Sequence, residues 1–453
     1  LTKVADAVAG APKGSPGDDG ILTTLQQESF GFFEHEAAKL RDGLFPDSTQ
    51  PESPGCIASV GFALACYPVA VAREFVPRTA AVKAVLDSLR FFADSRQSLG
   101  GDASGYRGFY YHFLDRKTGR RTWECELSSI DTALLVVGAL VAARYFDGKN
   151  AQEAEIRDLA DTLYRRVEWD WMRGDGGEAT VGMGWKPGEG FLPSRWRGFN
   201  EGLLLYVLAL GSPTHPIEPQ GFHESVEQYE WRKMYDQEFA YAGPLFIHQM
   251  PHCFIDFRGI QDDFMRVHDI DYFENSRRAT LVQQAYAIHN PRGFREYGPH
   301  FWGVTASDGP GPDSRILNEK TVDFFAYKAR GIPFGPDDGC VAPWAAVASL
   351  PFAPKIVLPT IRNFQSTNIG NGSPYGFAAT VNPTFREKGD DKRGWASPYN
   401  YGLNQGPVVL MIENYRTEMI WRLMRDCPYI IAGLRRAGFS GGWLDDAEST
   451  EKR

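Results

Sequence analysis

The chain has 453 residues, a formal net charge of −9, 43% hydrophobic and 23% charged residues, an ordinary globular composition. Its acidic balance and lack of a dense Lys/Arg run exclude a partner held through a phosphate backbone, and no apolar stretch reaches the roughly 18 residues that a membrane span needs. Aromatic residues reach 13%, with 11 Trp, 19 Tyr and 30 Phe, enough to furnish flat walls for sugar rings as well as a core.

Residues 1–20 include the breaker-rich run AGAPKGSPGDDG and read as a flexible tether. A single domain is expected over 21–445, followed by a polar tail at 446–453. A tether of this kind behind a removed leader fits a periplasmic or secreted protein. Helical periodicity then recurs at 22–40, 57–72, 79–94, 128–145, 151–167, 200–210, 274–289, 341–350 and 405–424, while strand-like alternation is scarce. The segments at 57–72 (IASVGFALACYPVAVA), 130–143 and 202–210 are apolar all round, as helices buried on every side must be. The segment at 151–167 has a polar stripe. Alternation of all-buried and two-faced helices predicts an inner ring inside an outer one. Inner candidates begin near residues 57, 128, 200, 274, 341 and 405, at intervals of about 70 residues. The predicted class is therefore all-α, an (α/α)6 barrel of six inner and six outer helices. Long irregular segments rich in Gly, Pro and aromatics lead into the inner helices, so the active site is expected at the mouth near their N-termini.

Six cysteines lie apart without a CxxC pair, which is no zinc framework; buried free thiols are expected. HExxH, Walker A and kinase motifs are absent. Gly438–Gly442 matches G-x-S-x-G but follows a helix and has no histidine after it, so it is not read as a serine nucleophile. Asp262 and Asp263 read as a solvated turn.

Acidic residues gather at the starts of the inner helices: Glu126 and Asp131 in CELSSIDTALL, Glu201 in GFNEGLLLY, Asp308 in WGVTASDGP, and Glu387, Asp390 and Asp391 in the loop before Gln405. Glycoside hydrolysis needs two such groups, one to protonate the leaving oxygen and one to activate water or attack carbon. The same residues have a structural reading. Asp131 completes a capping box with Ser128, and Glu201 complements a helix dipole. A helix N-terminus lowers a carboxyl pKa whereas a general acid needs it raised, so Glu201 serves only if burial or neighbouring carboxylates outweigh the dipole. Trp185, Trp196, Trp302 and Trp395 are candidate stacking groups. Arg107, His112, His248, Gln249 and Arg258 are candidate partners for hydroxyls.

Several runs resemble a known family in the family's order: SSIDTALLVVGAL, MGWKPGEGF, FNEGLLLYVLALGSPTHP, GPLFIHQMPHCFIDFRGI, FWGVTASDGP and QGPVVLMIENYR. The chain resembles, over roughly residues 22–440, the glucoamylase-like domain family that includes glycoside hydrolase family 144, the bacterial endo-β-1,2-glucanases. The resemblance implies an (α/α)6 barrel acting on β-1,2-linked glucans without metal or organic cofactor. The family's acidic residue at the NE position falls on Glu201, the expected general acid. The partner carboxylate falls by position on Asp390 or Asp391. The family pattern has an Asp before QGP, where this chain has Asn404.

The expected function is hydrolysis of β-1,2-glucan or a related β-glucan by a monomeric enzyme, with inversion preferred. Glu126, Asp131 and Asp308 are expected to bind sugar and hold up the acid's pKa. The alternatives are a glucosyltransferase or transglycosylase on the same fold and a non-catalytic glucan-binding protein.

Overall fold

A computed structural model describes residues 16–317, 319–369, 372–386 and 394–451. Its helices, in chain order, are α1 (Pro16–Glu36), α2 (Ile57–Ala72), α3 (Arg78–Asp94), α4 (Ser129–Tyr145), α5 (Ala151–Arg165), α6 (Gly202–Gly211), α7 (Pro219–Val226), α8 (Asp263–Val267) and α9 (Tyr272–His289). They continue with α10 (Pro343–Ala348), α11 (Pro354–Ser366), α12 (Gly402–Thr417), α13 (Met419–Arg425), α14 (Pro428–Arg436) and α15 (Gly442–Glu451). The arrangement is an (α/α)6 barrel. Helices α2, α4, α6, α10 and α12 form the inner ring, and every residue of α6 and α10 is buried.

The fourth inner place differs from the expectation. It is held not by α9 but by two 3-10 turns, Leu245–His248 and Pro251–Cys253. The Phe254 ring meets Phe62 of α2 at 5.6 Å, and Asn414 of α12 donates to the Cys253 carbonyl at 3.2 Å. Helix α9 instead carries Glu274 paired with Arg277 and Arg278 on a partly solvated face, which suits it to the outer layer. Helix α1 starts at Pro16, inside the expected tether, because Arg362 grips the buried Asp18 and Arg416 pairs with Asp19. The expected polar tail is helical through Glu451. The expected helix at 405–424 is broken after Thr417, where Glu418 takes a left-handed conformation.

The outer helices form where one face is apolar and the ends are capped. The Asn150 side chain accepts from the Glu153 amide at 3.0 Å to start α5, and Asp271 accepts from Glu274 at 2.7 Å to start α9. Arg78 at the start of α3 reaches across to Glu153 on α5 at 2.7 Å. The inner helices meet more closely. A Cβ on Gly138 of α4 would lie 1.9 Å from the Gly61 carbonyl of α2, and one on Gly433 of α14 would lie 1.9 Å from the Val207 carbonyl of α6. Backbone rests on backbone there, which fixes how the helix starts are placed around the barrel axis.

The loops entering the inner helices fold into short antiparallel strands. The largest set joins Gly105–Tyr106, Phe109–Tyr111, Leu127–Ser128, Gly184–Lys186 and Gly190–Phe191 in that spatial order. A second arm, residues 306–341, is pinned by the fully buried pair of Arg330 and Asp338, 2.7 Å apart, with Arg330 also donating to the Ser307 carbonyl at 2.6 Å. That bond network fixes Ser307 and Asp308 at the barrel mouth.

The glycine contact gives a direct test. Gly138→Ala gains up to about 1 kcal/mol of helix propensity, yet the clash with Gly61 outweighs it, for a net loss of about 1–3 kcal/mol in urea unfolding. Gly101→Ala, with open space around its Cβ, is expected to change stability by no more than about 0.5 kcal/mol.

Candidate active site

A cavity of about 480 Å³ opens where the inner helices begin. Four carboxylates face it, from Asp47, Asp131, Glu201 and Asp308, together with His112, Asn404 and the rings of Phe113, Phe246, Tyr327, Trp344 and Tyr401. Glu201 stands at the N-cap position just before α6, but its side chain does not cap the helix. Its neighbour Asn200 takes that task, accepting from the Gly202 amide at 2.9 Å and donating to the carbonyls of Arg197 and Gly198. The Glu201 carboxyl is thereby left without a hydrogen bond to another residue among the described residues. Burial pushes its pKa up to about 7, its own amide opposes, and the Asp131 charge adds to the rise.

Asp131 stands both in the first turn of α4 and on the cavity wall. Ser128 caps α4 by accepting from the Asp131 amide at 3.2 Å, and its hydroxyl donates to the Asp131 carboxylate in place of the backbone bond of a full capping box. The carboxylate also faces the cavity, 3.7 Å from His112 Nε2. His112 Nδ1 sits 2.9 Å from Glu126. Burial disfavours the imidazolium, but Asp131, Cys56 and Glu126 outweigh it and hold His112 charged well above the usual histidine range. The bond to His112 in turn lowers the Glu126 carboxyl, against its burial. Cys56, His112 and Asp131 place ligand atoms within 4.8 Å of one another. Burial raises the Cys56 thiol, and His112 keeps its second proton.

Asp308 is held on three sides. Thr380 donates at 2.7 Å, Ser397 donates to the other oxygen, and Tyr401 approaches at 3.5 Å; burial nonetheless raises its pKa. Asp47 contrasts with it. Its main chain is fixed, donating to the Pro54 carbonyl and accepting from the Gly402 amide, each at 2.9 Å. Its carboxyl has no hydrogen-bond partner among the described residues. Burial pushes it up to about 6, His112 opposes, and Asp131 reinforces.

The cavity thus unites Glu201, Asp131, Asp308 and His112, with Glu126 behind them. Other sequence candidates lie elsewhere. Arg107 pairs with Glu168 and lies over the Trp171 ring. Arg258 binds Asp256 at 2.8 Å and Glu418 at 2.7 Å, at the far end of α12 from the cavity. His248 is buried against Phe199, and burial lowers it to about 4, leaving it neutral. Gln249 is buried and donates to Ser349 Oγ at 2.7 Å. Trp196 is a core residue donating to Ser129 at 2.8 Å, and Trp302 is 1% exposed. Trp185 packs on Tyr106 and Trp171, and Trp395 pairs in a strand with Asn382; neither lines the cavity. Asp390 and Asp391, like Glu387, lie outside the described residues. Asp262 is no solvated turn, being 2% exposed, capping α8 and accepting from the Tyr272 hydroxyl at 2.7 Å. All six cysteines are buried and free. Asp47 and Tyr327 line the cavity but were not among the sequence candidates. The rule that found Asp308, an acid in the irregular loop before an inner helix, would also have found Asp47 ahead of α2.

Residues 193–428 match the Glycoamylase family model, described as putative glucoamylase. An exo beta-1,2-glucooligosaccharide sophorohydrolase (non-reducing end) from Parabacteroides distasonis is 28% identical over 92% of this chain, which spans 58% of that relative's length. The crystal structure of a putative glucoamylase from Bacteroides uniformis is similar with a TM-score of 0.81 at 28% identity, covering 95% of this chain and 100% of that one. A beta-1,2-glucanase from Parabacteroides distasonis gives a TM-score of 0.80 at 25% identity, covering 93% of this chain and 60% of that one.

The raised Glu201 carboxyl has a stability consequence. Between its ordinary value of 4.5 and about 7, the unfolded chain has released this proton while the folded chain holds it. Glu201 therefore makes stability fall as pH rises through that window. Glu201→Gln removes the penalty, so its melting temperature is expected to exceed that of the wild type at pH 8, with the difference vanishing at pH 4.

Proposed function

The chain belongs to the Glycoamylase family, and from that premise we propose that it is a glycoside hydrolase cutting β-1,2-linked glucan or its oligosaccharides. The observation that carries the reading is the division among the cavity's carboxylates. Among the described residues, two are tied to protein side-chain donors, and two, Glu201 and Asp47, have none. Glu201 holds its proton to about pH 7, as a general acid must. Asp47 gives its proton up above about pH 6 and serves as the base.

In the proposed reaction Glu201 protonates the glycosidic oxygen as the bond from that oxygen to the anomeric carbon breaks. Water attacks that carbon and passes a proton to Asp47, so the two carboxyls end in exchanged protonation states and reset through solvent. Burial, reinforced by the Asp131 charge, keeps Glu201 protonated. Asp308, oriented by Thr380 and Ser397, is set to accept from sugar hydroxyls. The names of the relatives support β-1,2 linkage as the substrate class.

A second reading is transfer to a sugar acceptor, and Asn404 favours it. It lines the cavity where the family pattern has an Asp, and an amide cannot take a proton from water.

Incubation with linear β-1,2-glucan, products separated by size, is the test. The wild type is expected to shorten the polymer, and Glu201→Gln to lower kcat by about 10²- to 10⁴-fold. The rate falls above about pH 7, where Glu201 ionises, and below about pH 6, where Asp47 is protonated. Asp47→Asn should remove the acid limb along with most of the activity. Elongated products on adding an acceptor sugar establish transfer instead. An undiminished Glu201→Gln removes Glu201 from the mechanism.

A further inference from the structure

We propose that Trp123 is a stacking platform for a sugar ring lying outside the cavity, an added subsite for the chain whose cleaved end lies within; this rests on the hydrolase reading above. Trp123 is 66% exposed. Isolated exposed aromatics are common and mean little alone, but two further features set this one apart.

The first is what the ring touches. Trp123 leans on Phe113 with ring centroids 5.1 Å apart, and Phe113 lies flat on His112 at 4.0 Å and 12°. Phe113 and His112 both line the cavity. An unbroken tier of rings therefore leads from the acidic cavity to open solvent.

The second is how the ring is held. Trp123 and Glu124 are consecutive non-glycine residues with left-handed backbone, φ +56° and +50°, an uncommon conformation. The turn is closed by the Cys125 amide on the Thr122 carbonyl at 3.2 Å. Arg121 clamps it further, donating to the carbonyls of Cys125 and Glu124, both at 2.7 Å, with its guanidinium over the Tyr111 ring. The loop is thus fixed with its indole facing water. The indole N–H has no protein acceptor among the described residues.

The occupant follows from size and chemistry. A cavity of about 480 Å³ suits a compact ligand, so the remainder of an oligosaccharide must pass over the lip. A β-glucosyl ring presents an apolar C–H face that fits a flat indole, and hydroxyls around it that can accept from the indole N–H. Phe113 would meet the ring nearer the cavity and Trp123 the next one out.

The experiment compares wild type, Trp123→Ala and Trp123→Phe on β-1,2-glucooligosaccharides of increasing length. For Trp123→Ala, kcat/KM is expected to drop about tenfold on the longer members, through KM, and to stay unchanged on the shortest one cleaved. Trp123→Phe should recover most of the loss. Equal kcat/KM at every length overturns the platform, and so does a uniform loss at every length, which marks a structural role. If the wild type cleaves none of them, the hydrolase reading fails by itself. The platform is then decided by native gel electrophoresis through soluble β-1,2-, β-1,3- and β-1,4-glucans. Retardation of wild type but not of Trp123→Ala upholds it, and equal mobility of the two in every glucan overturns it.

Discussion

A helix with no polar face can offer polarity only at its ends. That constraint governs this molecule. The inner helices α2, α4 and α6 are apolar on every side, so their sides must be covered by other helices. Their N-terminal ends are the remaining place where charged groups can meet solvent inside the barrel. The Gly61–Gly138 crossing brings two of these helices to backbone contact, which places Cys56, just before α2, and Asp131, in the first turn of α4, within reach of one histidine.

The electrostatics of the mouth follow from which carboxylates the protein satisfies. Buried charge is costly unless hydrogen-bonded. Asp131 and Asp308 receive donors from Ser128, Thr380 and Ser397, and those bonds act against the cost. Glu201 and Asp47 receive no such side-chain donor among the described residues, and burial holds their protons to higher pH. The helix dipole at the start of α6 would favour an ionised Glu201, but desolvation wins. Asn200 makes this possible by doing the capping that Glu201 would otherwise do. The buried Arg330–Asp338 pair serves the same end at longer range, since its breakage would release the arm that carries Asp308 and Tyr327.

Much of this was legible in the sequence, for physical reasons that also mark the limits. Helix α2 was readable to the residue because an unbroken apolar run has few alternatives. The fourth inner place was not, because turns of three or four residues such as Leu245–His248 leave no periodic trace. Nothing in the residue type announces that Glu418 adopts a left-handed conformation and ends α12. Acids adjoining a helix start, such as Glu201 and Asp131, stood out by position. Asp47 sits in the Pro-rich loop 46–54, separated from α2 by several residues, and only folding brings it back. Arg107 was misread because its partner, Glu168, is distant in sequence. Trp196 and Trp302 illustrate the usual fate of a large ring, which is to fill the core.

Asp131 answers to two demands at once, starting an inner helix and setting the charge of the cavity. Any replacement loosens the scaffold and shifts the acidity together, so an evolving lineage has little freedom there. Asp47 holds nothing up; its side chain faces the cavity from a loop that the backbone alone secures. Adaptation of this mouth to a more acidic or more alkaline habitat therefore has a direction built into the architecture. It runs through the first loop, where acidity can drift, while the helix starts stay fixed.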